Sequence, residues 1–165
     1  MAEDKFLYET IESRAFNNRI LMPEISEYDY ITDNLKYQLF DWQEKALINF
    51  FIYELVRDKE NIYSSNHLLF NMATGSGKTL VMAALILYYY KQGYRNFLFF
   101  VNQNNIVYKT EENFTNPYHS KYLFKQNLVI DNKNISIKKV DNFGEETDNI
   151  QIKFNKIKFL FNFLL

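Results

Sequence analysis

The 165 residues of this chain predict an α/β fold built on a parallel sheet, and three features carry the prediction. The first is a succession of Leu68-Leu69-Phe70, the turn Ala73-Thr74-Gly75-Ser76-Gly77-Lys78-Thr79, and an apolar run to Tyr90. It reads as buried strand, glycine-rich turn and helix. The second is Phe97-Leu98-Phe99-Phe100-Val101, a further buried strand that completes one right-handed β-α-β unit. The third is composition: 47% apolar and 18% aromatic residues suffice for a sizeable core and exclude a disordered chain.

Composition also removes several function classes. With no cysteine there is no disulfide, thiolate metal site or cysteine nucleophile. The opening MAEDKFLYET carries acids where a signal peptide carries positive charge, and no apolar stretch follows it. The longest apolar run, Leu80 to Tyr90, is about half the ~20 residues of a membrane helix. A cytoplasmic protein without a membrane partner is therefore expected. The net charge of −1 hides an asymmetry, because residues 1–60 carry 7 basic against 13 acidic side chains. Residues 121–165 carry 8 against 5, so any basic surface belongs after the glycine turn.

The elements follow in order. Residues 1–35 form an N-terminal arm and linker, with a helix from Asp4 to about Arg19 broken at Met22-Pro23. Asp41 to Arg57 reads as an amphipathic helix with Trp42, Ala46, Phe50 and Leu55 near one face, widened by Leu47 and Phe51. Asp41 is the expected N-cap, with Glu44 three residues on. After the polar loop 58–66 come the strand, the turn and a largely buried helix that stops at Lys91 and Gly93. Asn102 to Asn113 starts as a loop and becomes a helix, ended by Asn116-Pro117. Leu128–Ile130 and Ile135–Val140 read as strands around the turn 131–134, and Ile150–Phe154 as a final strand.

The turn holds the chemistry. Gly75 and Gly77 permit backbone conformations that aim successive N–H groups at an anion. Lys78 supplies a charge for the β- and γ-phosphates, Thr79 a hydroxyl for Mg²⁺, and the helix from Lys78 points its dipole at the same place. A nucleotide triphosphate site follows, with Thr74, Ser76 and Leu80 completing the stretch that lines it. A second candidate is Gln43, whose amide can accept from adenine N6 and donate to N7, selecting ATP. A glutamine on a helix is ordinarily just solvated, but this one stands in an aromatic-Gln-x-x-Ala frame ahead of the loop.

The strict phosphate-loop pattern fails, because Met72 stands at its first glycine, and A-x-x-G-x-G-K-T remains. That form resembles the first motif of superfamily 2 helicases and translocases. Gln43 with its neighbours resembles their Q motif, Tyr30-Ile31-Thr32-Asp33-Asn34-Leu35 its lead-in, and 99–107 with 109–114 resemble motif Ia. Together these stretches resemble the N-terminal motor segment of the type III restriction enzyme R (Res) subunit, a DEAD/DEAH-like family. The resemblance implies a partial RecA-like P-loop domain over residues 36–154, with ATP and Mg²⁺ as cofactors. It also implies an ATP-dependent translocase acting on double-stranded DNA, coupled to cleavage, with a methyltransferase (Mod) subunit as partner. Asn102, Gln103 and Asn104 would then touch the DNA backbone through their amides.

Two departures stand out. The arginine common after the Q-motif leucine is Phe40, and no Asp-Glu box follows a buried strand. From Phe154 the chain turns into a biased tail over 155–165, read as the mark of truncation or a frameshift, with the domain incomplete on its C-terminal side. Two alternatives remain at this stage, a nucleotide-binding remnant without turnover and a P-loop ATPase that does not act on DNA.

Overall fold

The computed structural model describes residues 7–62, 67–101, 104–144 and 147–156. The chain divides into two compact units, Met1–Asp29 with Leu39–Val81, and Tyr30–Gln38 with Met82–Leu165. No helix among the described residues is long and apolar enough to cross a membrane.

The first unit is built on two helices, α1 (Leu7–Asn17) and α3 (Asp41–Lys59), with the one-turn helix α2 (Asp29–Thr32) between them in sequence. Ile11 and Ala15 lie four apart on α1, as do Ile52 and Val56 on α3. That spacing puts each pair on one helical face, and the four form a fully buried cluster flanked by Ile20, Ile48 and Tyr53. Both helices end on the same device. At the end of α1, Arg19 takes φ 55°, its N–H reaches Phe16 O and the Ile20 N–H reaches Ala15 O. At the end of α3, Asn61 takes φ 54°, with Ile62 N–H bonded to Arg57 O. These 6→1 bonds are Schellman closures, which satisfy helix carbonyls that would otherwise lack partners. Arg14 of α1 and Asn18, the residue after that helix, both donate to the Glu60 carboxylate.

The frame of α3 is turned from the expected one. Gln43, Leu47, Phe50, Phe51, Ile52 and Val56 are buried, whereas Trp42 and Leu55 are exposed. Packing accounts for the rotation: Phe51 stacks on Tyr28 at 3.7 Å, while Ile52 and Val56 receive α1. The N-cap is Phe40 rather than Asp41, because Gln43 at the third helical position returns its Oε1 to the Phe40 N–H.

The strand expected over Leu68–Phe70 does not form. Residues 67–73 have no regular structure, and Leu69 is 91% exposed. A strand persists only when its backbone groups join a ladder, and among the described residues no ladder includes this segment. Its apolar residues supplied the pattern, but a partner supplies the strand. Helix α4 (Lys78–Lys91) follows as expected and closes on Gly93 at φ 98°, with Tyr94 N–H bonded to Tyr89 O.

The second unit holds a three-stranded parallel sheet in the order β1 (Asn96–Val101), β5 (Ile150–Lys156), β4 (Ile137–Lys139). Register runs from Asn96↔Gln151 to Val101↔Lys156 on one side of β5 and from Ile137↔Ile150 to Lys139↔Ile152 on the other. A central strand bonded on both edges explains why Ile150 and Ile152 are fully buried. Among the described residues the β-α-β unit is thus β1, α5 (Asn104–Thr115) and β5, with Phe114 of α5 packed on Phe99 and Phe124. The single strand expected over Ile135–Val140 is divided at Ser136, β3 (Lys133–Ile135) pairing with β2 (Leu128–Ile130) in a separate hairpin. That hairpin turns on Asp131 and Asn132, both at positive φ, the two-residue geometry that matches strand twist. Asn34, 3% exposed, clamps β2: its Nδ2 donates to Val129 O and its Oδ1 accepts the Val129 N–H. Beyond Phe154 the strand continues to Lys156, and residues 157–165 of the tail lie outside the described residues.

Candidate functional site

The first unit brings the glycine turn and the start of α3 together. Gly75 at φ 84° and Gly77 at φ 77° both occupy the left-handed region that favours glycine. Ser76 stabilises the bend between them, its N–H and Oγ both donating to Ala73 O. Helix α4 begins at Lys78, so the N–H groups of Lys78 and Thr79 belong to a first turn, which has no intrahelical acceptors. The Lys78 Nζ arches over the loop and donates to Met72 O at 2.8 Å and Ala73 O at 2.9 Å. An ammonium has three donors, and these bonds use two. Thr79 is half-buried, Leu80 is buried and bonded through its N–H to Gly77 O, and Thr74 and Gly75 are exposed.

Gln43 is 0% exposed and fastens α3 to this loop. Its Nε2 donates to Ser76 O at 3.0 Å and Gly77 O at 3.2 Å, while its Oε1 accepts the Phe40 N–H at 2.9 Å. The amide orientation is fixed by this set, since a flipped amide would face two carbonyls with an oxygen. Gly77 is glycine for a second reason as well. A Cβ there would stand 2.3 Å from Gln43 Nε2, whereas a Cβ at Gly75 would meet nothing within 4 Å. The site expected at Gln43 and the loop is therefore one contiguous structure, although the glutamine's two N–H groups point at the loop.

Sequence reasoning passed over two neighbours of Gln43. Trp42 donates through Nε1 to Ser76 O at 3.2 Å, and Phe40 stacks on Trp42 with centroids 4.6 Å apart and planes 16° from parallel. The aromatic-x-aromatic-Gln string was the available signal, but Trp42 fitted an apolar helical face and was assigned to the core. Among the motif Ia candidates, Asn102 and Gln103 lie outside the described residues, and Asn104 is the first residue of α5.

The loop fits a triphosphate: two positive-φ glycines, first-turn N–H groups and an ammonium converge on one bend. Among the described residues no group of three His, Cys, Asp or Glu side chains is placed to hold a metal.

Comparison with known proteins gives two matches. The family model described as type III restriction enzyme, res subunit, matches residues 36–164. Over 172 aligned residues the chain is 47% identical to the probable type III restriction-modification enzyme HindVIP Res subunit of Haemophilus influenzae, covering 98% of this chain and 33% of that protein. The chain thus spans about a third of the length of that curated relative. No solved structure matches it.

Proposed function

The chain belongs to the type III restriction enzyme Res subunit family, and from that premise we propose that the loop from Thr74 to Leu80 is the ATP·Mg²⁺ site of a DNA-translocating motor. The observation that carries this reading is the convergence of Lys78, Gly75 and Gly77 on one bend, held there by the buried Gln43. The Lys78 ammonium would leave the Met72 and Ala73 carbonyls for the β- and γ-phosphates, exchanging neutral acceptors for charged ones. Backbone N–H groups of the bend and of the first turn of α4 would take the remaining phosphate oxygens. Mg²⁺, when bound, neutralises phosphate charge, and the Thr79 hydroxyl would hold it.

The parent activity proposed by family is ATP hydrolysis coupled to movement on double-stranded DNA, in complex with a modification subunit. Such hydrolysis needs a carboxylate for the metal and an arginine for the developing charge. No Asp-Glu box follows a buried strand in this sequence, so the step proposed for these residues is nucleotide binding. The metal assignment is tested by measuring ATP affinity with Mg²⁺ and with a chelator. Tighter binding in Mg²⁺ is expected for the wild type, and Thr79→Val should remove most of that difference. A Thr79→Val variant that keeps the full Mg²⁺ dependence would refute the assignment.

A further inference from the structure

We propose that the outer face of α1 is a docking groove for a basic, amphipathic segment of another protein, which it takes apolar side inward. Glu12, Ser13, Phe16, Asn17, Ile20 and Met22 line an open groove of about 530 Å³. Phe16 is 82% exposed, Leu21 90% and Met22 50%, so three large apolar side chains meet solvent within one short stretch. Scattered singly, such residues are ordinary on a surface; gathered around a groove, they mark a contact. The whole stretch precedes residue 36, where the family match begins, so its role is separate from the loop that carries the phosphates.

The groove is built rather than frayed. Ile11 and Ala15 turn one side of α1 into the buried cluster with α3, which leaves Phe16 outside it. The Ile20 N–H bond to Ala15 O fixes the turn that follows, Ile20 packs on the same cluster, and Pro23 is buried. Leu21 and Met22 are thereby held out between two anchored residues, a preorganised seat that costs a partner little ordering. Charge then selects the occupant. Residues 7–29 carry five acidic side chains against two basic, and Arg14 of the basic pair is tied to Glu60. Glu12 puts one carboxylate in the groove itself, and Glu24 follows directly on Pro23. This balance repels the phosphates of nucleic acid or of an anionic lipid surface, while lysine or arginine flanking an apolar stripe complements it. An amphipathic helix laid into a groove on spaced apolar anchors is a recurring form of such recognition.

The probe is a labelled synthetic amphipathic helix of leucine and lysine, titrated with the whole chain by fluorescence anisotropy beside a counterpart with glutamate for lysine. The leucine–lysine helix should bind at least about tenfold more tightly than the leucine–glutamate one. Phe16→Ser and Leu21→Ser should each weaken it by about tenfold, the scale of a lost anchor residue, and Glu12→Lys by about threefold. Tyr118→Ser, at a position 93% exposed in the other unit, should change nothing. Thermal melts of the variants should match the wild type, because each substitution lies at an exposed position. Equal affinity for the two helices, or indifference to both Phe16→Ser and Leu21→Ser, would overturn the proposal. So would a dimer of the chain alone that Phe16→Ser dissolves in sedimentation, since the groove would then belong to a second copy. Binding of phosphatidylserine vesicles or duplex DNA that Phe16→Ser abolishes would overturn it as well, by giving the groove to an anionic partner.

Discussion

Gly77 and Gly75 carry the same sequence signal and different physical demands. At Gly75 an added Cβ has open space, so alanine there meets only the left-handed strain of φ 84°, about 1–2 kcal/mol. At Gly77 the same strain is joined by a clash with the buried Gln43 amide. Gly77→Ala should therefore lower stability by about 3 kcal/mol, clearly more than Gly75→Ala. Thermal melts of the two variants side by side check this, and equal losses would mean that Gln43 does not sit against Gly77. Arg19 provides the opposite case. It closes α1 at φ 55° without the freedom of glycine, so Arg19→Gly should raise stability by about 0.5–1 kcal/mol, measured by urea unfolding.

At the scale of elements, the α1–α3 contact is the apolar support beneath the helix that carries Gln43. Ile52→Ala, at a fully buried position in that contact, should cost about 2–4 kcal/mol in a denaturant titration. Hydrogen bonds from Arg14 and Asn18 hold the Glu60 carboxyl below its ordinary value. A depressed carboxylate stabilises above its unfolded value of about 4.5 and loses that contribution as pH falls below it. Arg14→Ala should therefore flatten the acid limb of the stability profile. Elements whose pattern is internal were legible in sequence: α3 and α4 from their apolar runs, α5 from its proline stop, and β5 from Ile150 onward. Elements that depend on a partner were not. Leu68–Phe70 has the composition of a strand and no ladder to join, and Ile135–Val140 is divided because its two halves pair in different sheets. The loop was legible by its spacing. The embrace of Gln43 and Ser76 was not, because it joins residues 33 positions apart through a backbone carbonyl that any residue would offer.

Across the chain, the family match covers residues 36–164, and among the described residues no group of three His, Cys, Asp or Glu side chains is placed to hold a metal. We propose, because no Asp-Glu box follows a buried strand in this sequence, that ATP turnover by these residues alone is negligible and unchanged by duplex DNA, which an ATPase assay with and without DNA reads directly. DNA-stimulated turnover would mean that a catalytic carboxylate and its partner arginine lie within these 165 residues. We propose more narrowly that the bend closed by Gln43 holds the triphosphate of ATP through Lys78. Calorimetric titration of ATP·Mg²⁺ into the wild type and Lys78→Ala tests it most directly. Loss of one charge-assisted contact predicts at least about a tenfold weaker affinity in the variant, and equal affinities would contradict it.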